Sequence, residues 1–305
     1  MGIQITFPAL QSINDGVSLA FNSQLYAAPG IYKAFSFDAP STGEEEFYPR
    51  LDMLKGLREW VGDRVVNSLS ISTFAIKNKT FEETIGIRRE QVEDDKYGFL
   101  TPIAGEMGLN ASRLPDLLIA ALMLKAHTMP CWDGQNFCDA GHPNFNRDGT
   151  ATTVTNYADG SGDPWFLIDD SRILRPFIFQ SRRAFNVIPK FSMTDPQVFW
   201  NNEFIWGVDG RCNAGFGLWQ LVFMSKQELT HDNVEAARTA MASLRRPDGA
   251  PMGINGKLLV TTTSNFLKAK ALEQNDFQPL TATATSLVPN QLKGVVKALE
   301  NVWLN

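Results

Sequence analysis

Residues 38 to 73, DAPSTGEEEFYPRLDMLKGLREWVGDRVVNSLSIST, constrain the fold more than any other part of the chain. They are rich in charge and glycine and carry too few periodic apolar residues to make a core of their own. A compact domain does not hold so long a stretch without helix or strand periodicity, unless the stretch reaches out and is covered by another surface. The rest of the chain can supply a body for it to leave. With 305 residues, 44% of them hydrophobic, a sizeable core can be buried in one large domain or two intimately joined ones.

The flanks carry ordinary signals. Between Ala9 and Ala28, apolar Leu10, Ile13, Val17, Phe21 and Leu25 recur at spacings of three and four, which predicts an amphipathic helix ending before Pro29 and read as a docked N-terminal arm. In FAIKNKTFEETIGI, Phe74 and Ile76, then Phe81, Ile85 and Ile87, alternate as in half-buried strands. Glu93, Asp94 and Asp95 precede a helical pattern running from Gly98 to about Thr128 and are expected to cap it and complement its dipole. Its LLIAALML segment (117–124) predicts burial on nearly every side, with Pro115 kinking the helix or starting its second half. Asn144 to Pro164 has the composition of a surface loop. WFLID and PFIFQ read as short strands, and EFIWGVDGRCNAGFGLWQLVF as a long β segment interrupted by glycines. LTHDNVEAARTAMASL is a helix starting at Thr230 or Asp232, and KLLVTTT leads as a strand into the helix SNFLKAKALEQ. The fold class is therefore α+β.

Several functions are disfavoured. A net charge of −5 argues against a binder held by phosphate contacts. Three cysteines form no disulfide framework and suit a reducing compartment. MGIQITFPALQSINDG lacks the pattern of a signal peptide, and the apolar run Leu114–Leu124, broken by Pro115 and Asp116, is short for a bilayer; a soluble protein with no membrane partner is expected. GxxxxGK[ST], GxSxG and HExxH are absent, and the glycines of GVDGRCNAGFG open no helix, so no catalytic residue and no cofactor is assigned.

One stretch invites a metal. HTMPCWDGQNFCDAGH (127–142) places His127 four residues before Cys131, and Cys138 four before His142, giving the four N and S ligands of a closed zinc site. Pro130 breaks the first pair's helix, and six residues separate the two cysteines where a zinc knuckle has two to four. The stretch reads as a packed turn with buried cysteines, and no metal is assigned.

The succession GLREWVGDRV (56–65), IKNKTFEETIGI (76–87), EDD (93–95), PCWDGQNF (130–137) with His142-Pro143, PFIFQSRR (176–183) and GFGLWQL (215–221) resembles the Mu-like phage major head subunit. The resemblance implies an HK97-type capsid fold. Its parts would be an N-terminal arm (1–37), an extended E-loop hairpin lying over a neighbouring subunit (38–73), a peripheral domain (74–130 and 196–228) with a spine helix at about 98–128, and an axial domain with connecting loops (131–195 and 229–305). The segment order is permuted relative to the usual one, and Cys138 stands where the pattern suggests an aromatic or other apolar residue. The implied function is structural, not enzymatic: a major capsid protein assembling into hexamers and pentamers of an icosahedral head around double-stranded DNA. The implied partners are further copies, a portal, a scaffold or protease, and a decoration protein; the location is the virion, with host cytoplasm during assembly. Trp60 is expected to anchor on a neighbour, with Arg58, Glu59, Asp63 and Arg64 fixing register through charge. The alternatives are a non-viral compartment shell of the same fold and a zinc-binding module at 127–142.

Overall fold

Thr6 begins the first helix by accepting a hydrogen bond from the Ala9 amide, and the apolar stripe Leu10, Val17 and Phe21 is buried along α1 (Phe7–Leu25). The computed structural model describes residues 5–27, 30–49, 71–94, 98–279 and 287–305. After α1 come β1 (Ser36–Pro40), β2 (Glu45–Pro49), β3 (Ile71–Lys77), β4 (Lys79–Arg88), α2 (Arg89–Glu93) and α3 (Leu100–Leu124). The middle of the chain gives β5 (His142–Phe145), β6 (Ala151–Val154), β7 (Tyr157–Ala158), β8 (Trp165–Ile168), β9 (Phe177–Lys190), α4 (Pro196–Asn201), β10 (Glu203–Phe216) and β11 (Val222–Ser225). The last part gives α5 (His231–Ala242), β12 (Leu258–Thr261), α6 (Thr263–Gln274), β13 (Phe277–Pro279), β14 (Leu287–Pro289) and β15 (Lys297–Glu300).

Two sheets organise these elements. The first has the order β1-β9-β10-β4, with β1 parallel to β9 and the other pairs antiparallel. Along β10 every second residue from Phe204 to Cys212 is buried, the period-two pattern of a sheet with one covered face. Register shifts against β9 flank Arg211, where β-bulges increase local twist. Gly210 sits there because a Cβ would stand 2.7 Å from the Phe185 ring. The second sheet has the order β15-β12-β8-β11-β7, and β8, β11 and β12 are buried at every position, as strands covered on both faces must be.

Helix α3 joins the two halves. Its first half packs with α1 against the first sheet through Leu100, Ala104 and Met107. Its second half enters the larger core through Ile119, Ala120 and Met123, beside Trp165 and the stacked rings of Phe137 and Phe216, 4.2 Å apart. Burying each of the larger side chains, Leu, Ile, Met or Phe, stabilises the fold by about 1.5–3 kcal/mol before cavity terms. At Gly108, α1 approaches so closely that a Cβ would lie 2.2 Å from the Phe21 carbonyl oxygen.

The structure corrects several sequence expectations. α3 runs as one element through Pro115, and it is not buried all round: Leu117 is 42% exposed. The acidic run does not cap it. Glu93 ends α2 and pairs with Arg89 at 2.9 Å, Asp94 caps that short helix at its C-terminus, and α3 starts at Phe99 with no side-chain cap; Asp95 lies outside the described residues. Residues 144–164 are not simply loop, since β5 and β6 form a hairpin and β7 joins the second sheet beside β11. Strand pairing also cuts across the sequence grouping. β9, within 131–195, lies between β1 and β10, whereas β11, within 196–228, lies between β8 and β7.

Candidate functional site and assembly surfaces

The segment read as an E-loop is rooted in β2 and β3, which pair antiparallel from Glu45↔Lys77 onward. A polar clamp fixes its root. Buried Gln180 donates to the Ile76 carbonyl and, at 2.9 Å, to Asn78 Oδ1; Asn78 Nδ2 in turn donates to Ser41 Oγ at 2.8 Å. The Glu46 carboxylate accepts from the Thr42 and Gly43 amides at 2.7 and 2.9 Å, and these amides hold its pKa below the usual carboxylate range. The root is therefore tied to the body by buried polar bonds. Trp60, Arg58, Glu59, Asp63 and Arg64 lie outside the described residues.

A second surface, missed in the sequence, lies at the far end of the first sheet. Between β9 and β10 the chain forms α4, which presents Phe199 and Trp200 edge to face, 5.1 Å apart and 73% and 78% exposed. Phe7 and Phe99, 65% and 80% exposed, begin α1 and precede α3 near the same pole. The support is rigid. Asn202 ends α4 in the left-handed conformation (φ 55), its side chain donates to Glu90 at 2.7 Å and its carbonyl accepts from the Arg89 amide. Large exposed aromatics contribute nothing to the chain's own core, and grouped on a stiff support they have the character of interface anchors. The available signal was the dipeptide Phe199-Trp200 between two β segments, next to Asp195-Pro196.

The four residues weighed as zinc ligands are engaged in other ways. His142 is fully buried, stacked 3.9 Å over Trp219, with Nδ1 2.8 Å from Asp133 Oδ2. Cys131 donates to the other Asp133 oxygen at 3.0 Å. Burial works to raise the Asp133 pKa, but hydrogen bonds from His142 and Cys131 hold it below the ordinary value. His127 stacks on Tyr157, and Cys138 is enclosed in the core, where burial pushes its thiol pKa far up. Such thiols are poor nucleophiles and poor ligands. Among the described residues, no group of three or more His, Cys, Asp or Glu side chains is placed to hold a metal ion. Asn156 completes the turn, donating to the carbonyls of Phe137 and Trp219 while accepting from the Asp139 amide at 2.8 Å.

The family profile of the Mu-like prophage major head subunit gpT matches residues 10–304. The major capsid protein of Escherichia phage Mu is 36% identical over 280 residues, covering 90% of this chain and 91% of that protein. The chain in the procapsid of bacteriophage JBD30 superposes with a TM-score of 0.82 at 35% identity, over 98% of this chain and 100% of that one. A JBD30 capsid decorated with minor capsid protein trimers gives a TM-score of 0.75 at 25% identity, over 99% and 100% of the two chains. A match spanning both sheets, the E-loop root and the turn at 130–143 leaves one assignment: the chain belongs to the Mu-like prophage major head subunit family and has the HK97-type capsid fold.

Proposed function

We propose that the chain is the major capsid protein of a phage head, building hexamers and pentamers of an icosahedral shell around double-stranded DNA. The observation that carries this is the superposition of nearly the whole chain on a procapsid subunit. Function here is geometry. A shell subunit needs several modest interfaces, each weak enough to correct, which become collectively strong once many are held together. The clamped E-loop root and the aromatic pole supply two of them: the segment between β2 and β3 extends over a neighbouring copy with Trp60 as anchor, and Phe199 and Trp200 are covered by other copies.

Strand pairing supports a domain division in which the β1-β9-β10-β4 sheet with α1 and α3 is the peripheral domain, α3 its spine, and the five-stranded sheet with α5 and α6 the axial domain. A portal, a scaffold or protease and a decorating minor capsid protein complete the head, which is assembled in the host cytoplasm. The net charge of −5 suits a container that must hold DNA without gripping it. Electron microscopy of the protein purified with its neighbouring head proteins tests the proposal. Hexamers, pentamers or closed icosahedral shells are expected, and a uniform monomer would overturn it.

A further inference from the structure

The connection between α5 and β12 carries the chain's one Asn-Gly pair, Asn255-Gly256. Asparagine is a thermolabile residue, and it is most open to attack by its own backbone where glycine follows, because no side chain shields the next nitrogen. Here the fold admits no other neighbour. A Cβ at 256 would stand 2.7 Å from both Leu167 Cγ and Met241 Sδ, so the position stays glycine. Asn255 is exposed, so water reaches its amide. Among the described residues the Gly256 N–H donates to no backbone carbonyl, and the attacking nitrogen is not tied up in a ladder or turn.

One guanidinium meets the reacting group. Arg238, on α5, donates from Nη2 to Asn255 Oδ1 and from Nε to the Gly256 carbonyl, both at 3.3 Å. A positive donor on the amide oxygen draws electrons from Cγ and faces the charge that develops on Oδ1 when a nitrogen adds there. We infer that Asn255 is a self-modification site, at which the Gly256 nitrogen closes on Asn255 Cγ and water then leaves an aspartate. As the N–Cγ bond forms, the Gly256 N–H gives its proton to hydroxide and the carbonyl electron pair moves onto Oδ1. That pair returns, the Cγ–Nδ2 bond breaks, and Nδ2 takes a proton from water and departs as ammonia. Water then adds to the Cγ carbonyl of the ring, the Cγ–N bond breaks, and the Gly256 nitrogen regains a proton. Addition of water at the main-chain carbonyl instead would leave isoaspartate, with an extra methylene in the backbone. The chain has no slack for it: the Asn255 amide donates to buried Asp169 at 3.0 Å, and the Lys257 amide to the Ile168 carbonyl at 3.0 Å. Normal aspartate is the product, and its carboxylate meets Arg238 as an ion pair between α5 and the entry to β12. The modification goes beyond the capsid reading and does not depend on it.

The test follows the folded wild-type chain in mildly alkaline buffer, with peptide mass spectrometry after digestion and separation of aspartate from isoaspartate products. Asn255 should convert before any other asparagine, with normal aspartate in excess. The same chain unfolded in urea should give isoaspartate in excess, since nothing there pins the backbone. Arg238→Gln, checked for folding by circular dichroism, should slow conversion in the folded chain about tenfold, the loss of one charge-assisted hydrogen bond, and leave the rate in urea unchanged. Should that variant fail to fold, the wild-type product ratio, folded against unfolded, decides alone. A folded chain that keeps Asn255 intact while the unfolded chain loses it, isoaspartate in excess from the folded chain, or a folded Arg238→Gln variant converting at the wild-type rate would overturn the inference.

Discussion

At the scale of single residues, two buried aspartates respond to pH in opposite senses. The Asp133 pKa is depressed by its hydrogen bonds, so its contribution to stability is present at neutral pH and is lost as pH falls below the ordinary aspartate value of about 3.9. Asp133→Asn is expected to cost about 1.5–3 kcal/mol at pH 7, typical for a hydrogen bond to a charged group, and to flatten the acid limb of a stability-against-pH curve measured by urea unfolding. Asp116 is the converse case. It lies within α3 and accepts from the Tyr32 amide at 2.8 Å, and burial raises its pKa despite that bond. A raised native pKa stabilises below the unfolded value, and the benefit disappears as pH rises through the native one. Asparagine can accept the same bond without a charge. Asp116→Asn should therefore match or exceed wild-type stability at pH 7 and lose that advantage at pH 4, whereas an Asp133 variant behaves in the reverse way.

At the scale of elements, helices and strands were legible wherever one chain buries them. The stripe of α1, the alternation of β4, the strand-to-helix step at β12 and α6, and the cap at Thr230, which accepts from the Asn233 amide, all follow local period and capping chemistry. Thr230→Ala should cost about 1 kcal/mol in thermal unfolding. Where the sequence misled, the choice lay between two neighbours or two faces that local pattern does not separate. Glu93 looked like a cap for the helix after it, yet Arg89 holds it in the preceding turn. Leu117 looked like core because its neighbours are apolar, yet it lies on the helix's open side. Glycine at 108 carried no local signal, since only the crossing of α1 over α3 requires it. Gly108→Ala gains helix propensity but drives a methyl group into the Phe21 carbonyl, and a net loss of about 1–3 kcal/mol is expected in chemical denaturation.

At the scale of the whole molecule, the assembly surfaces were the least legible part, because residues covered only by other copies need not follow the rules of the chain's own core. The core-poor stretch could be recognised by its lack of pattern; Phe199 and Trp200 read as ordinary apolar residues. Replacing both with serine should leave the unfolding free energy of the isolated chain within about 0.5 kcal/mol of wild type. Loss of shells in electron microscopy, with circular dichroism unchanged, is the expected result; normal shells would remove these residues from the assembly surface. The first sheet carries a further consequence for how the chain is made. Its inner strands, β9 and β10, are flanked by β1 and β4, which are synthesised long before them, and β4 has no partner in that sheet until β10 arrives. On the ribosome, then, β1 stays without a sheet partner until β9 has emerged, and β4 until β10 is complete at residue 216. A nascent chain of this topology carries its risk of aggregation during synthesis, and chaperone engagement should fall sharply once β10 clears the exit tunnel.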